Sequence, residues 1–171
     1  KVNPIALNNA TLTAMPENVL RPLYDRASLT PGIVHIGVGN FHRAHQAWYL
    51  HRLMQKGEAT DWAIIGGSVR EQDNSLRAKL QAQDHLTSLI ELDPDRSNVE
   101  VVGSMIDYAS IETNNEDLIG KMAHSAIRIV SLTVTEGGYF IDQATKGFDH
   151  EHPDIQHDAM YPEQPRTVFG A

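Results

Sequence analysis

The chain has 171 residues, enough for one domain with a sizeable core, and its 41% apolar and 21% charged residues are an ordinary globular composition. Its net charge of -8 argues against a nucleic-acid backbone as partner, and the absence of cysteine excludes disulfides, thiolate metal sites and a cysteine nucleophile. No apolar run approaches the roughly 18 residues of a membrane span, and the opening "KVNPIALNNATL" lacks a signal-peptide core, so a cytoplasmic protein with no membrane partner is expected.

Residues 1–30 are broken by Pro4, Pro16 and Pro22 and read as an irregular N-terminal arm. "GIVHIG" is an apolar, β-branched run closed by glycine. It is expected to be a central strand covered on both faces. Phe41, Ala44, Ala47, Trp48 and Met54 then recur at helical spacing up to the stop at Gly57. "DWAIIGGSV" is a second buried strand. "DNSLRAKLQAQ" is a helix that Asp73 or Asn74 could cap. "HLTSLIEL" and "NVEVVGSM", joined by "DPDRS", read as a hairpin. "NNEDLIGKMAH" has acids early and Lys121 late, as a helix dipole favours. "AIRIVSLTV" is a further buried strand, followed by "TEGGY". From "DQATKGFDHEHPD" onward the chain is polar and turn-rich, and "RTVFGA" closes it on an apolar stretch with nothing to bury it.

This order predicts an α/β protein: a Rossmann-like, mostly parallel sheet with helices on both faces and an inserted β-hairpin. Too few strands follow Val134 for a six-stranded dinucleotide fold, so the chain reads as truncated, a piece of a longer protein.

Gly37 and Gly39 stand between the first strand and its helix. There the first glycine permits a tight turn, and the second lets a pyrophosphate approach amides at the start of the helix. His42 replaces the third glycine of the usual pattern, and Ala44 is a candidate for the close helix–strand approach instead. The competing reading is a turn whose glycines only satisfy backbone geometry.

"HIGVGNFHRAHQAWYL" and "IVSLTVTEGGY", with "GEATDW", "ELDPDRSNVEVVGSM" and "PRTVFGA", resemble the mannitol dehydrogenase family of polyol-specific long-chain dehydrogenases. That family carries "FHRAH" where other dehydrogenases have the third glycine. The resemblance implies a 31–171 NAD-binding Rossmann-type domain, incomplete because a C-terminal helical substrate domain is absent. It implies that Gly37, Gly39, Asn40 and Phe41 lie along the cofactor pyrophosphate. Arg43 is either a phosphate contact or a surface arginine. The implied activity is an oxidoreductase interconverting a sugar alcohol, or a sugar acid, and its keto form by hydride transfer. The substrate would be a small polyol or keto-sugar.

The family's catalytic lysine belongs to a pattern of lysine, four residues, asparagine, two residues, histidine. None of Lys1, Lys56, Lys79, Lys121 or Lys146 has asparagine five residues on, so this chain by itself is expected to be inactive. The rival reading is a non-catalytic nucleotide-binding fragment.

Asp73, just past the second strand, is placed to hydrogen-bond the adenosine ribose, which favours NAD. Arg70 pulls toward a 2′-phosphate, which leaves NADP open. Glu136 follows a strand whose carboxyl end should face the cleft, making it a candidate near the active site or else a solvated loop glutamate. The pair His42 and His45, and the group His150, His152 and His157, raise the question of a metal. The family loop and the solvated character of the second group argue for none. His35 is expected to be a core histidine. The sequence does not fix the oligomeric state, and a monomer is compatible with it.

Overall fold

A computed structural model describes residues 4–95 and 97–171, so residues 1–3 of the arm and Arg96 in the hairpin turn lie outside the described residues. The described residues form seven strands and five α-helices: β1 Val19–Leu20, β2 Pro31–Ile36, α1 Asn40–Ala44, α2 Gln46–Met54, β3 Ala63–Gly67, α3 Asn74–Ala82, β4 Thr87–Leu92, β5 Ser97–Val102, β6 Met105–Tyr108, α4 Glu116–Met122, β7 Ile129–Leu132 and α5 Pro153–Met160.

The β-branched run of β2 sits at the centre of a four-stranded parallel sheet of order β6-β3-β2-β7, as its apolar, non-alternating pattern requires. Residues 33–36 pair with 64–67 on one side and 129–132 on the other. One face buries Ala47, Leu50 and Met54 of α2 with Leu80 of α3. The other buries Leu118 of α4 against Val34, Ile36 and Ile65. Helices therefore cover both faces of the parallel sheet. β7 is the sheet edge, and its Ile129, Val130 and Leu132 keep 43–45% of their surface exposed.

Several sequence expectations are corrected. The run "NVEVVGSM" is not one strand. It divides at Gly103 and Ser104 into β5, which completes the hairpin, and β6, which enters the parallel sheet. The hairpin also gains a third strand from the arm, because Val19 and Leu20 pair in parallel with Val99 and Glu100. Arg26 ties the arm down further by donating to the carbonyls of Gly103 (3.0 Å) and Met105 (2.8 Å). The helix expected through residues 41–54 is interrupted at His45, whose backbone (φ -121°, ψ -88°) is not helical. The polar tail contains α5, with Pro153 at its first turn and His152 as its cap.

A buried polar link joins the small sheet to α2. Glu100 accepts from Trp48 Nε1 (2.7 Å) and Arg52 Nη1 (3.1 Å) and faces His51 Nε2 at 3.3 Å. Burial alone would raise the Glu100 pKa, but those donors and the His51 ring hold it below the usual carboxylate range.

Candidate functional site

In a parallel sheet all strands end on the same side, and ligands collect beyond those carboxyl ends. Here the ends of β2, β3, β6 and β7 open into a cleft of about 640 Å³. Gly37–Gly39 form its floor. Ser68–Asp73 form one wall, and Thr133–Thr135 with Gly137 and Gly138 form another. Phe140, Asp154 and Arg166–Val168 complete it.

The two loop glycines have different jobs. Gly37 has φ +97°, and a Cβ there would stand 2.6 Å from the Thr133 carbonyl oxygen, so both conformation and space demand glycine. Gly39 has an ordinary φ of -86°, and a Cβ on it would meet nothing within 4 Å. The fold in isolation does not need that glycine. The space over it opens to the cleft, where a pyrophosphate could approach the backbone. The dinucleotide-binding pattern therefore fits the residues present.

The imidazole in the third-glycine position is buried, with 1% of its surface exposed. His42 stacks flat on His35 of β2, with ring centroids 3.6 Å apart and planes 6° apart. His35 is thus a core histidine with a structural task. Its Nε2 lies 2.9 Å from Thr133 Oγ1, whose hydroxyl donates to the Gly37 carbonyl (2.8 Å), so Nε2 carries the proton. Its Nδ1 then accepts from Ser131 Oγ at 2.8 Å. Strand β7, the stacked rings and the glycine loop form one unit. Burial lowers the His35 pKa to about 4. Burial, and then the neighbouring His35, lowers that of His42 to about 3, so both rings are neutral near pH 7. Ala44 is not the close-approach residue: it ends α1 and is only half-buried.

At the second wall, Asp73 lines the cleft and accepts from Ser68 Oγ at 2.5 Å, while Ser68 Oγ accepts from the Arg70 amide at 3.0 Å. Asp73 occupies the cap position of α3 but makes no side-chain cap bond, and Asn74 is the first helical residue, so the capping role is not the one this carboxylate fills. Arg70 also lines the cleft. Asn40, Phe41 and Arg43 open α1 beside the glycine loop but do not line the cleft. Arg43 Nη2 donates to Asn40 Oδ1 (2.5 Å), and Phe41 is 66% exposed. Glu136 begins a single 3₁₀ turn, Glu136–Tyr139, between cleft-lining Thr135 and Gly137.

Three parts of the site escaped sequence reasoning. Thr133 is one, a residue whose type alone signals nothing. Tyr108 at the end of β6 is another; burial pushes its phenol up to about 12. The third is Arg166–Val168. Its "RTVFGA" stretch does find cover: Thr167 is 3% exposed, and Val168 packs on the α4-side core beside Val69 and Val134. The histidines do not converge. His45 Nδ1 donates to the Phe41 carbonyl (2.7 Å), His152 caps α5, and His157 turns to Asp158. Among the described residues no three metal-ligating side chains gather, and no helix is long and apolar enough to cross a membrane.

Comparison with known proteins extends this geometry. Residues 31–171 match the family described as the mannitol dehydrogenase Rossmann domain. The mannitol 2-dehydrogenase of Cereibacter sphaeroides is 55% identical over 157 residues, covering 92% of this chain and 33% of that protein. The polyol:NADP oxidoreductase of Gluconobacter oxydans is 42% identical over 167 residues, covering 96% and 34%. Among solved structures, Pseudomonas fluorescens mannitol 2-dehydrogenase in a ternary complex with NAD and D-mannitol superposes with a TM-score of 0.90 at 48% identity, covering 96% of this chain and 34% of that one. The chain thus spans about a third of the length of the relatives it matches.

Proposed function

The chain belongs to the mannitol dehydrogenase family, and from that premise we propose that residues 31–171 are the NAD-binding domain, incomplete in itself, of an oxidoreductase acting on polyols, with residues 1–30 an arm packed on it. The reaction is the interconversion of a mannitol-like sugar alcohol, or a sugar acid, and its keto form. The observation that supports it best is the contrast at the loop: Gly37 is demanded by the fold, whereas Gly39 faces open space at the carboxyl ends of the strands.

NAD supplies the hydride acceptor when bound, and this chain binds and orients it. The backbone at Gly37 and Gly39 lies along the pyrophosphate, with Asn40, Phe41 and Arg43 at the adjoining helix start. Asp73 accepts from the adenosine ribose hydroxyls and repels a 2′-phosphate, while Arg70 moderates that repulsion. Glu136 stands toward the substrate end. One relative is named for NADP, so family membership alone does not set the preference, and the reading assigns it to residues 70–73.

The acid/base lysine pattern implied by the resemblance is absent from all five lysines of this chain. That favours the second reading for the 171 residues taken alone, a nucleotide-binding unit without turnover. Purified by itself, the chain should bind NADH and leave mannitol unoxidised; clear mannitol oxidation would show that the proton-transfer group lies within it. For the binding claim, NADH is titrated against the parent and Gly39→Val. The variant should melt with the parent, since its side chain meets open space, and bind NADH at least about a hundred-fold more weakly. Equal affinity in the two proteins would remove the loop from the site.

A further inference from the structure

The wall formed by residues 165–168 comes from a part of the chain with no regular structure, and two buried polar groups hold it. Asn115 has a left-handed backbone (φ +54°) and 1% exposure, and it donates through Nδ2 to the Pro165 carbonyl at 2.8 Å. Asp158 of α5, with its side chain 8% exposed, does more. Its Oδ1 accepts from the Arg166 amide (2.7 Å), and its Oδ2 accepts from the Thr167 amide (2.9 Å) and hydroxyl (2.7 Å). The Thr167 oxygen in turn accepts from the Phe169 amide at 3.1 Å. A side chain at Gly170 would run into the Asp158 carboxylate, so the turn closes tightly around it. Burial alone would raise the Asp158 pKa, but the amides of Arg166 and Thr167, the Thr167 hydroxyl and His157 hold it below the usual carboxylate range.

This clamp puts a cation at the cleft. Among the described lining residues, Arg70 and Arg166 carry the positive charges. The Gly37 and Gly39 amides are engaged by the carbonyls of Gly67 (3.0 Å) and Gly37 (2.8 Å), and the Arg43 guanidinium is engaged with Asn40. Arg166 Nη1 lies 3.5 Å from Asp154 Oδ1, an exposed pair that a doubly charged ligand can displace.

We propose that Asp158 is the positioning residue of this wall, folding residues 166–168 so that Arg166 faces the cleft and contacts the pyrophosphate of the bound dinucleotide. The proposal rests on the dinucleotide reading above. Asp158 itself touches no ligand; it acts through Arg166.

A double-mutant cycle on NADH affinity in the intact protein separates positioning from general stabilisation. Arg166→Gln removes the contact and leaves the clamp, and should weaken NADH about ten-fold. Asp158→Asn halves the number of acceptor oxygens and should weaken NADH by a similar factor. Because both act on one contact, the double variant should lose about ten-fold and not the roughly hundred-fold of independent effects. Additive losses, or unchanged affinity in either single variant, would overturn the proposal. If Asp158→Asn does not fold, Thr167→Val, which deletes one hydroxyl bond, takes its place in the cycle with the same expectations. Failure of the dinucleotide reading looks different: the parent does not bind NADH, or Gly39→Val binds it as the parent does, and the positioning proposal falls with it.

Discussion

Two regions build the cleft by opposite means. The corner of β2, α1 and β7 is held by backbone conformation and ring stacking: a glycine at which any side chain is strained and crowded, and two imidazoles pressed face to face. The wall from α5 to Val168 is held by single buried polar side chains: the Asp158 carboxylate gathers the Arg166 and Thr167 amides, and the Asn115 side-chain amide donates to the Pro165 carbonyl. The first kind of site is rigid and fails through strain or buried charge. The second is assembled from far along the chain and fails when one such side chain is lost.

Acid should separate the two most strongly. The unfolded chain protonates histidine near 6.5, whereas His35 and His42 resist protonation down to about 4 and 3. Below about pH 6.5 the unfolded state binds more protons, so stability falls as pH drops toward 4 and, for His42, toward 3. The loss should be on the order of 3 kcal/mol per ring, read from urea unfolding at pH 7 and pH 4. His42→Phe keeps a stacked ring that cannot titrate and should remove part of that slope; an unchanged slope would mean the pair is not its source.

Gly37→Ala comes next. The left-handed backbone and the approach to Thr133 should cost roughly 2–4 kcal/mol, seen as a lowered thermal midpoint even without ligand. A midpoint equal to that of the parent would show that the corner tolerates a side chain.

Asp73→Ala probes the wall at β3. It frees Ser68 and removes the charge that repels a 2′-phosphate, so the ratio of NADH to NADPH affinity should shift toward NADPH by roughly ten- to a hundred-fold. A fixed ratio would take Asp73 out of cofactor selection, and a parent that already prefers NADPH would give Arg70 the larger voice.

Asn115→Ala, the smallest change, strips one bond from the 165–168 wall and puts alanine in a left-handed conformation, for about 1–2 kcal/mol. Hydrogen exchange should quicken at Thr167 and Phe169 and leave Ile33–Ile36 unchanged. Equal quickening in β2 would mean that wall and corner unfold together.

The same contrast explains what the sequence reveals. The glycine corner is legible because strand, turn and helix are contiguous there, and "GIVHIGVGN" carries its own period and punctuation. The alternating helices and the central position of β2 follow for the same reason. The third-glycine histidine is legible only through family resemblance, since the stacking partner His35 is chosen by the fold. β6 is hidden because "VVGSM" reads as one apolar run, and only the sheet shows that the chain changes sheets at Gly103 and Ser104. The partners that hold Pro165 and "RTVFGA" lie at Asn115 and Asp158, and no local pattern links a turn to polar side chains that distant.

The central claim, that one dinucleotide binds across both regions, is tested most directly by mapping amide chemical shifts of the intact protein during NADH titration. Binding in the cleft predicts shifts at Gly37–Phe41, at Ser68–Asp73, at Thr133–Gly138 and at Arg166–Val168, with β4 and β5 silent. Shifts confined to the hairpin, or to the α4-side cavity around Gly120 and Lys121, would contradict it.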